Sequence, residues 1–341
     1  IKDIPKANIW FRSADRILMV MNKFKATTFE ELFQGVKSIN WADFLPKDAN
    51  FIVSGKSLKS TLSSVPACQK ITEKAIVEKL KLTYKDVEYF SKSGALYKVQ
   101  VALLKDNVTI TLDTSGTGLH KRGYRENQLA APLKETLASA LIDLSYYKKD
   151  RILIDPTCGS GTIAIEAAMI AKNIAPGLMR NFASENWDFI DKSYWKETRK
   201  DAYSKIDVNC RPEIYASDID EKAIQIAKGN AKKAGVDDCI RFEVKPINKV
   251  DIKNIKYGIC ICNPPYAERI GILEEVEQLY KDMGKIFNSN KTFSTYVLTS
   301  HEGFEKLYGR KADKKRKLFN GNVKVEYYQF FGERPPKATK Y

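Results

Sequence analysis

The stretch Ile152-Leu153-Ile154-Asp155-Pro156-Thr157-Cys158-Gly159-Ser160-Gly161-Thr162 decides the fold. An aliphatic run ends in an aspartate, breaks at a proline, turns on two glycines and enters an apolar segment that starts at Thr162. It reads as strand, tight turn and helix. Gly159 and Gly161 let the backbone turn sharply and lie close against a ligand, because no Cβ stands in the way. The unpaired amides at the start of the following helix can receive a carboxylate.

The same rhythm repeats downstream. After the strand at 152–155, further strands are predicted at 214–218, 240–244, 257–262 and 294–299, with helices over 162–173, 221–234 and 273–287. Such alternation is the signature of a parallel sheet flanked by helices. Segment 176–211 breaks the rhythm and is expected to be an insertion with short helices of its own. Near the end, Arg316 to Phe319, the turn Asn320-Gly321-Asn322 and Val323 to Phe331 read as a hairpin, since Asn-Gly supports the positive φ angles of a tight turn.

Upstream the pattern is mixed α/β without a glycine-rich ligand loop. Helical spacing covers 29–36, a short strand 50–54, a helix from Val65, and two strands 96–104 and 108–112. A Gly/Ser/Thr-rich joint, Asp113 to Gly118, leads into the basic run His120-Lys121-Arg122-Gly123-Tyr124-Arg125 and a helix predicted over 132–144. The first residues already look helical (Ala7, Ile9, Trp10, Ile17) and no methionine opens them, so a longer native N-terminus is expected.

A chain of 341 residues suggests about two domains. With 43% hydrophobic and 29% charged residues it is neither disordered nor fibrous. No apolar run reaches the roughly 20 residues of a membrane span, and no signal-peptide pattern is present; a cytoplasmic protein is expected. The six cysteines lack zinc-ligand spacing and there are only two histidines, so no metal site is expected and the thiols read as buried and reduced. The net charge of +15 fits a polyanionic partner, but it also fits a composition rich in lysine throughout. Charge alone decides little.

Gly159-x-Gly161-x-x-Ala164 matches the dinucleotide fingerprint loosely. Two features favour S-adenosyl-L-methionine instead. Asp155 stands at the strand end where it can bind a ligand ammonium, and Asp218 ends the second strand where ribose hydroxyls are gripped. Thr157, Cys158, Gly159, Gly161 and Thr162 complete the candidate cofactor turn. The competing reading of Asp218 is a helix N-cap; for Asp220 the cap reading comes first.

The strand at 257–262 runs into Asn263-Pro264-Pro265-Tyr266. Two prolines cannot continue a sheet ladder and force a rigid turn, at the strand end where open α/β sheets bind ligands. The turn can fix the Asn263 side-chain oxygen and the Pro264 carbonyl as two acceptors for an exocyclic amine. Tyr266 can stack on a base. Asn263, Pro264, Pro265 and Tyr266 are therefore the candidate catalytic residues, with Asn263 also bordering the cofactor. The alternative is a plain proline turn.

Together these motifs make the chain resemble the bacterial THUMP-domain RNA methyltransferases, the family of the 23S ribosomal RNA guanine-N2 methyltransferase. Its members are often labelled predicted N6-adenine-specific DNA methylases because of the shared tetrapeptide. The resemblance extends through Gly55 to Ser60, His120 to Arg125, Ala131-Pro132-Leu133-Lys134-Glu135-Thr136, Ala267-Glu268-Arg269-Ile270-Gly271 and Lys315 to Gly321. It implies a Rossmann-like class I methyltransferase domain, a parallel sheet ending in an antiparallel hairpin, preceded by an α+β THUMP/ferredoxin-like domain. On that scheme residues 1–50 are a ferredoxin-like remnant, 51–115 the THUMP domain, 116–148 the joint and its helix, and 149–341 the methyltransferase domain. It implies an RNA partner, ribosomal above all.

One departure stands out. After the third strand the chain reads Val244-Lys245-Pro246-Ile247-Asn248, with no carboxylate for the cofactor's adenine amine. A backbone group or a hydrophobic sandwich of Ile219 and Ile247 is expected in its place. The candidate RNA contacts are Lys56, Lys59, Lys121, Arg122, Arg125, Arg269, Lys315 and Lys317. For Arg122 and Arg125 the cofactor's edge and a solvated linker are alternatives; for Arg269, a pair with Glu268; for the lysines of the hairpin, an edge that discourages aggregation. Three functions stay open: an RNA guanine-N2 methyltransferase (ribosomal, or transfer RNA as a variant), an N6-adenine DNA methyltransferase, and a non-catalytic RNA-binding factor.

Overall fold

The computed structural model describes residues 1–85, 90–125, 133–266 and 273–336. The chain divides into two compact units, Ile1–Leu119 with Arg180–Asp201, and His120–Met179 with Ala202–Tyr341.

The first unit begins with helix α1 (Asp3–Trp10), strand β1 (Leu18–Lys25) and helix α2 (Phe29–Lys37). Thr28 and Glu31 form a reciprocal capping box that starts α2 by satisfying its first amides. Strand β2 (Asn50–Leu58), helix α3 (Val65–Thr83) and strands β3 (Leu96–Leu104) and β4 (Asn107–Asp113) follow. The sheet order is β1-β4-β3-β2. β2 and β3 are parallel, which requires the crossover that α3 supplies; the other pairs are antiparallel. β3 alternates strictly, with Tyr97, Val99, Val101 and Leu103 buried.

The second unit opens with helix α4 (Glu135–Leu144), strand β5 (Leu153–Asp155) and helix α5 (Thr162–Ala171). The chain then returns to the first unit. Residues 180–201, within the segment 176–211 expected as an insertion, complete that unit's core and include most of helix α6 (Lys192–Ser204). Trp187 stacks on Tyr97 with ring centroids 5.0 Å apart and donates its indole N–H to the Leu96 carbonyl at 3.1 Å. Phe189 meets Phe44 edge to face at 5.2 Å. Burial of these rings explains why the segment joins the sheet of the first unit and does not stand alone.

The second unit continues with β6 (Ile214–Asp218), α7 (Glu221–Ala234), β7 (Ile240–Val244), β8 (Ile259–Cys262), α8 (Leu273–Phe287), β9 (Ser294–Thr299), α9 (Phe304–Tyr308), β10 (Lys314–Asn320) and β11 (Val323–Phe330). Its sheet order is β10-β11-β9-β8-β5-β6-β7. Five strands are parallel, and β11 and β10 close the edge in antiparallel register. The chain moves outward from β5 through β6 and β7, then restarts on the other side of β5 at β8. The carboxyl ends of β5 and β8 flank that reversal, which is where such sheets bind ligands. A core of Cys260, Cys262, Val276, Tyr280, Met283, Phe287 and Val297 packs α8 against the sheet. Among the described residues no helix is long and apolar enough to cross a membrane, and no cluster of three His, Cys, Asp or Glu could hold a metal.

Candidate active site

Asp155 ends β5 and is 1% exposed. Its Oδ1 has no hydrogen-bond partner among the described residues. Burial pushes its pKa well above the usual carboxylate range, the neighbouring Asp218 adds to the shift, and a bond from the Thr157 backbone opposes it. A buried, half-satisfied carboxyl at a strand end fits a cationic ligand group, whose charge would favour ionisation.

The turn that follows is held by its own backbone. Gly159 and Gly161 adopt left-handed φ angles of 50° and 81°, accessible without strain only because they lack a Cβ. A Cβ at Gly161 would also lie 3.0 Å from Ala227 Cβ, so the glycine permits close packing of α5 on α7. The Asp218 carboxylate accepts from the Gly159 amide at 2.9 Å and from the Asp220 amide at 3.1 Å, tying the ends of β5 and β6 together. Asp218 thus does not cap α7. Asp220 does, accepting from the Lys222 amide at 2.8 Å. Thr157 Oγ1 is buried beside Asp155 without a partner among the described residues. Cys158 is buried, and burial with the nearby Asp155 and Asp218 raises its thiol pKa, so it packs as a neutral group.

Ile219 is 75% exposed beside Asp218, an apolar surface left open at the site. Ile247 is different. It is buried in the core with Ile252 and Val276, so of the two isoleucines expected to sandwich the adenine, Ile219 is the one that offers an open face.

Asn263 follows directly on β8, past the Cys260 rung that pairs with Ile154, and so stands close to the Asp155 strand end. The Tyr266 hydroxyl donates to Asn263 Oδ1 and accepts from Asn320 Nδ2 at 3.5 Å. Tyr280 of α8 donates to the Pro265 carbonyl and shares a bond with Thr299 Oγ1, both at 2.9 Å. Tyr266, expected as a stacking ring, is here also the hydrogen-bond partner of Asn263. An amine entering the site would exchange with that hydroxyl.

The basic joint requires a larger correction. Arg122 is 2% exposed and pairs with Glu166 of α5, itself fully buried, at 3.4 Å. Ser139 donates to the same carboxylate at 2.5 Å and the Tyr124 hydroxyl at 3.1 Å. A buried ion pair stripped of one partner leaves an uncompensated charge, which costs about 3–5 kcal/mol. Arg122 is therefore a structural cation and not an RNA contact. Arg125 is also turned inward, its side chain 8% exposed. It donates to Thr162 Oγ1 at 2.6 Å and the Leu133 carbonyl at 3.1 Å, and faces Glu135 at 3.5 Å. It braces the cofactor turn.

Lys121 is exposed beside them. Lys315 is exposed and paired with Glu305 at 2.9 Å, while Lys317 is exposed and stands opposite Glu326 across the hairpin. In the first unit Lys56 projects from β2 and Lys59 sits in the turn after it at φ 50°, both exposed. Arg269 lies outside the described residues.

Residues missed from sequence include Glu166, Ser139, Tyr280, Asn320 and Asn230, whose amide donates to the Ser160 carbonyl at 3.1 Å and steadies the glycine turn. Glu166 carried a signal. It is a lone carboxylate in an otherwise apolar helix, and such a charge needs a buried partner.

A glycine turn gripped by Asp218, an unsatisfied buried Asp155 and an Asn-Pro-Pro-Tyr turn on the adjacent strand together define a class I S-adenosylmethionine-dependent methyltransferase. Residues 122–329 match the RMKL-like methyltransferase domain family and residues 26–113 the THUMP domain family. The chain belongs to the RMKL-like methyltransferase family and carries a THUMP domain. It is 52% identical over 338 residues to YpsC of Bacillus subtilis (strain 168), described as a candidate RNA methyltransferase, covering 99% of this chain and 88% of that one. It is 34% identical to the ribosomal RNA large subunit methyltransferase K/L of Psychromonas ingrahamii over 97% of this chain but 45% of that one. The chain thus spans about half the length of its K/L relatives. Among solved structures, SMU.472, a candidate methyltransferase complexed with SAH, superposes with a TM-score of 0.90 at 43% identity, covering 98% of this chain and 89% of that one. A Listeria monocytogenes protein described as a predicted N6-adenine-specific DNA methylase gives 0.92 at 48% identity, covering 97% and 86%.

Proposed function

We propose that the protein methylates the exocyclic N2 of a guanine in large-subunit ribosomal RNA. The observation that carries this reading is the rigid Asn263 turn beside Asp155, in a chain that also holds a THUMP domain. S-adenosylmethionine supplies a methyl group activated by its sulfonium. The chain's residues do the rest: Asp155 holds the ammonium end, Asp218 and Ile219 receive the nucleoside end, and Asn263 Oδ1 with the Pro264 carbonyl accept the two amine hydrogens. That pairing aims the nitrogen lone pair at the methyl group. The rate gain comes mainly from positioning, and the amine sheds its extra proton after attack. The target base must leave its stack to reach this turn.

The names of the K/L relatives and of YpsC support RNA as the substrate class. The DNA-methylase name given to the Listeria neighbour favours a second reading, N6-adenine methylation of DNA, since the tetrapeptide suits either amine; the THUMP domain weighs against it. Transfer RNA is the nearer variant. Labelled methyl transfer to RNA from cells lacking the gene, followed by digestion to nucleosides, tests all of them. N2-methylguanosine from ribosomal RNA is expected. N6-methyladenosine in DNA with unlabelled RNA overturns the proposal.

A further inference from the structure

The hairpin β10–β11 reaches past the sheet that carries it. Its pairing with β9 ends at Glu326 opposite Thr299, so Val323 lies three residues beyond the carboxyl end of β9, an overhang of about 10 Å. That is the same edge of the sheet from which Asn263 leaves β8. The tip is tied to the tetrapeptide through Asn320, whose amide reaches the Tyr266 hydroxyl at 3.5 Å.

Residues directly opposed across the hairpin share a face. Phe319 stands opposite Lys324, and Lys317 opposite Glu326, so Lys317, Phe319 and Lys324 lie together on the face away from Asn320, which they share with the half-buried Glu326. All three are exposed, and Phe319 as a residue is 62% exposed although it sits one residue from the contact with Tyr266. An open aromatic ring flanked by lysines suits a nucleotide, whose base stacks on the ring while its phosphates meet the ammonium groups.

We infer that the hairpin tip is a platform for the RNA nucleotide next to the target: Phe319 stacks on its base, and Lys317 and Lys324 hold the adjoining phosphates. The inference rests on the RNA reading above. The ring takes the neighbouring base and not the target, because it faces away from Asn263. Stacking of this kind selects no sequence, since every base has a π-face. It holds the strand taut beside the flipped nucleotide.

The test measures methyl transfer to protein-free large-subunit ribosomal RNA from cells lacking the gene. F319A is expected to raise the KM for RNA about tenfold with kcat within twofold, the size stacking of one base implies. F319Y and F319W should keep KM near the wild-type value, and binding of S-adenosylhomocysteine should be unchanged in all three, which controls for folding. Added RNA should quench the F319W indole beyond any change in the wild-type background. KM for F319A within twofold of wild type, F319L as good as F319Y, or an F319W signal unmoved by saturating RNA would each overturn the platform. A wild-type protein that labels single-stranded DNA and no RNA overturns the substrate class itself, and that result appears before any variant is made.

Discussion

At the scale of single residues, the proposed mechanism divides the work between Asp155 and Asn263. The Asp155 pKa is raised chiefly by burial, so below that raised value the empty protein holds a proton there. The fold then binds a proton that the unfolded chain releases, and stability of the empty protein falls as pH climbs from the ordinary carboxylate range toward the raised pKa. A ligand ammonium beside the carboxyl favours its ionised form. Binding of S-adenosylhomocysteine should therefore release a proton, and affinity should rise with pH through that window. Calorimetry in buffers of different ionisation enthalpy measures the release directly; Asp155→Asn should abolish it, and a wild-type protein that releases none contradicts the assignment. Asn263 acts later. Asn263→Ala should leave the Kd for S-adenosylhomocysteine within about twofold while transfer falls on the order of a hundredfold, the usual cost of losing one placed polar group at the reacting atom. Single-turnover rates with saturating RNA check this, and unchanged turnover would reduce the tetrapeptide to a turn.

At the scale of elements, legibility followed the range of the interactions. The strand, glycine turn and helix from Ile152 onward are set by neighbouring residues, and so is the terminal hairpin, although its two-residue loop is Gly321-Asn322 and Asn320 ends β10 opposite Val323; local pattern was enough to place both. The inward course of Arg122 was not local, because its partner Glu166 is 44 positions away and a run of basic residues reads as exposed when that partner is unseen. Segment 180–201 posed the same problem. Its rhythm broke from the surrounding sheet because its aromatic rings belong to another core, against Tyr97 and Phe44. Trp187 is fully buried there, so Trp187→Ala should destabilise the protein by about 3–5 kcal/mol, the range for deleting a large core aromatic. Chemical denaturation followed by circular dichroism gives the value. A cost below about 1 kcal/mol would mean that the segment merely rests on the first unit.

At the scale of the whole molecule, the net charge of +15 gains meaning from where its cations are spent. Arg122 and Arg125 are consumed inside the second unit and add nothing to an outward field. Lys56, Lys59, Lys121, Lys315 and Lys317 are exposed, and under the proposed RNA function they are candidate phosphate contacts beside Lys324 of the hairpin. Phosphate contacts position a nucleic acid without reading its sequence, which suits the proposed placing of the chemical choice at Asn263. If all five engage, counterion release predicts a log–log salt slope of about −3.5, from roughly 0.7 per phosphate on unpaired strands. RNA affinity should then drop about a hundredfold between 50 and 200 mM salt. Replacing Lys56 and Lys59 by glutamine should flatten the slope by about 1.4, while Arg122→Met should leave the slope of whatever protein folds unchanged. Filter binding across a salt series measures these slopes. A wild-type slope near zero would show that the surplus charge is compositional, and an unaltered slope in the Lys56/Lys59 variant would remove the THUMP domain's lysines from the RNA path.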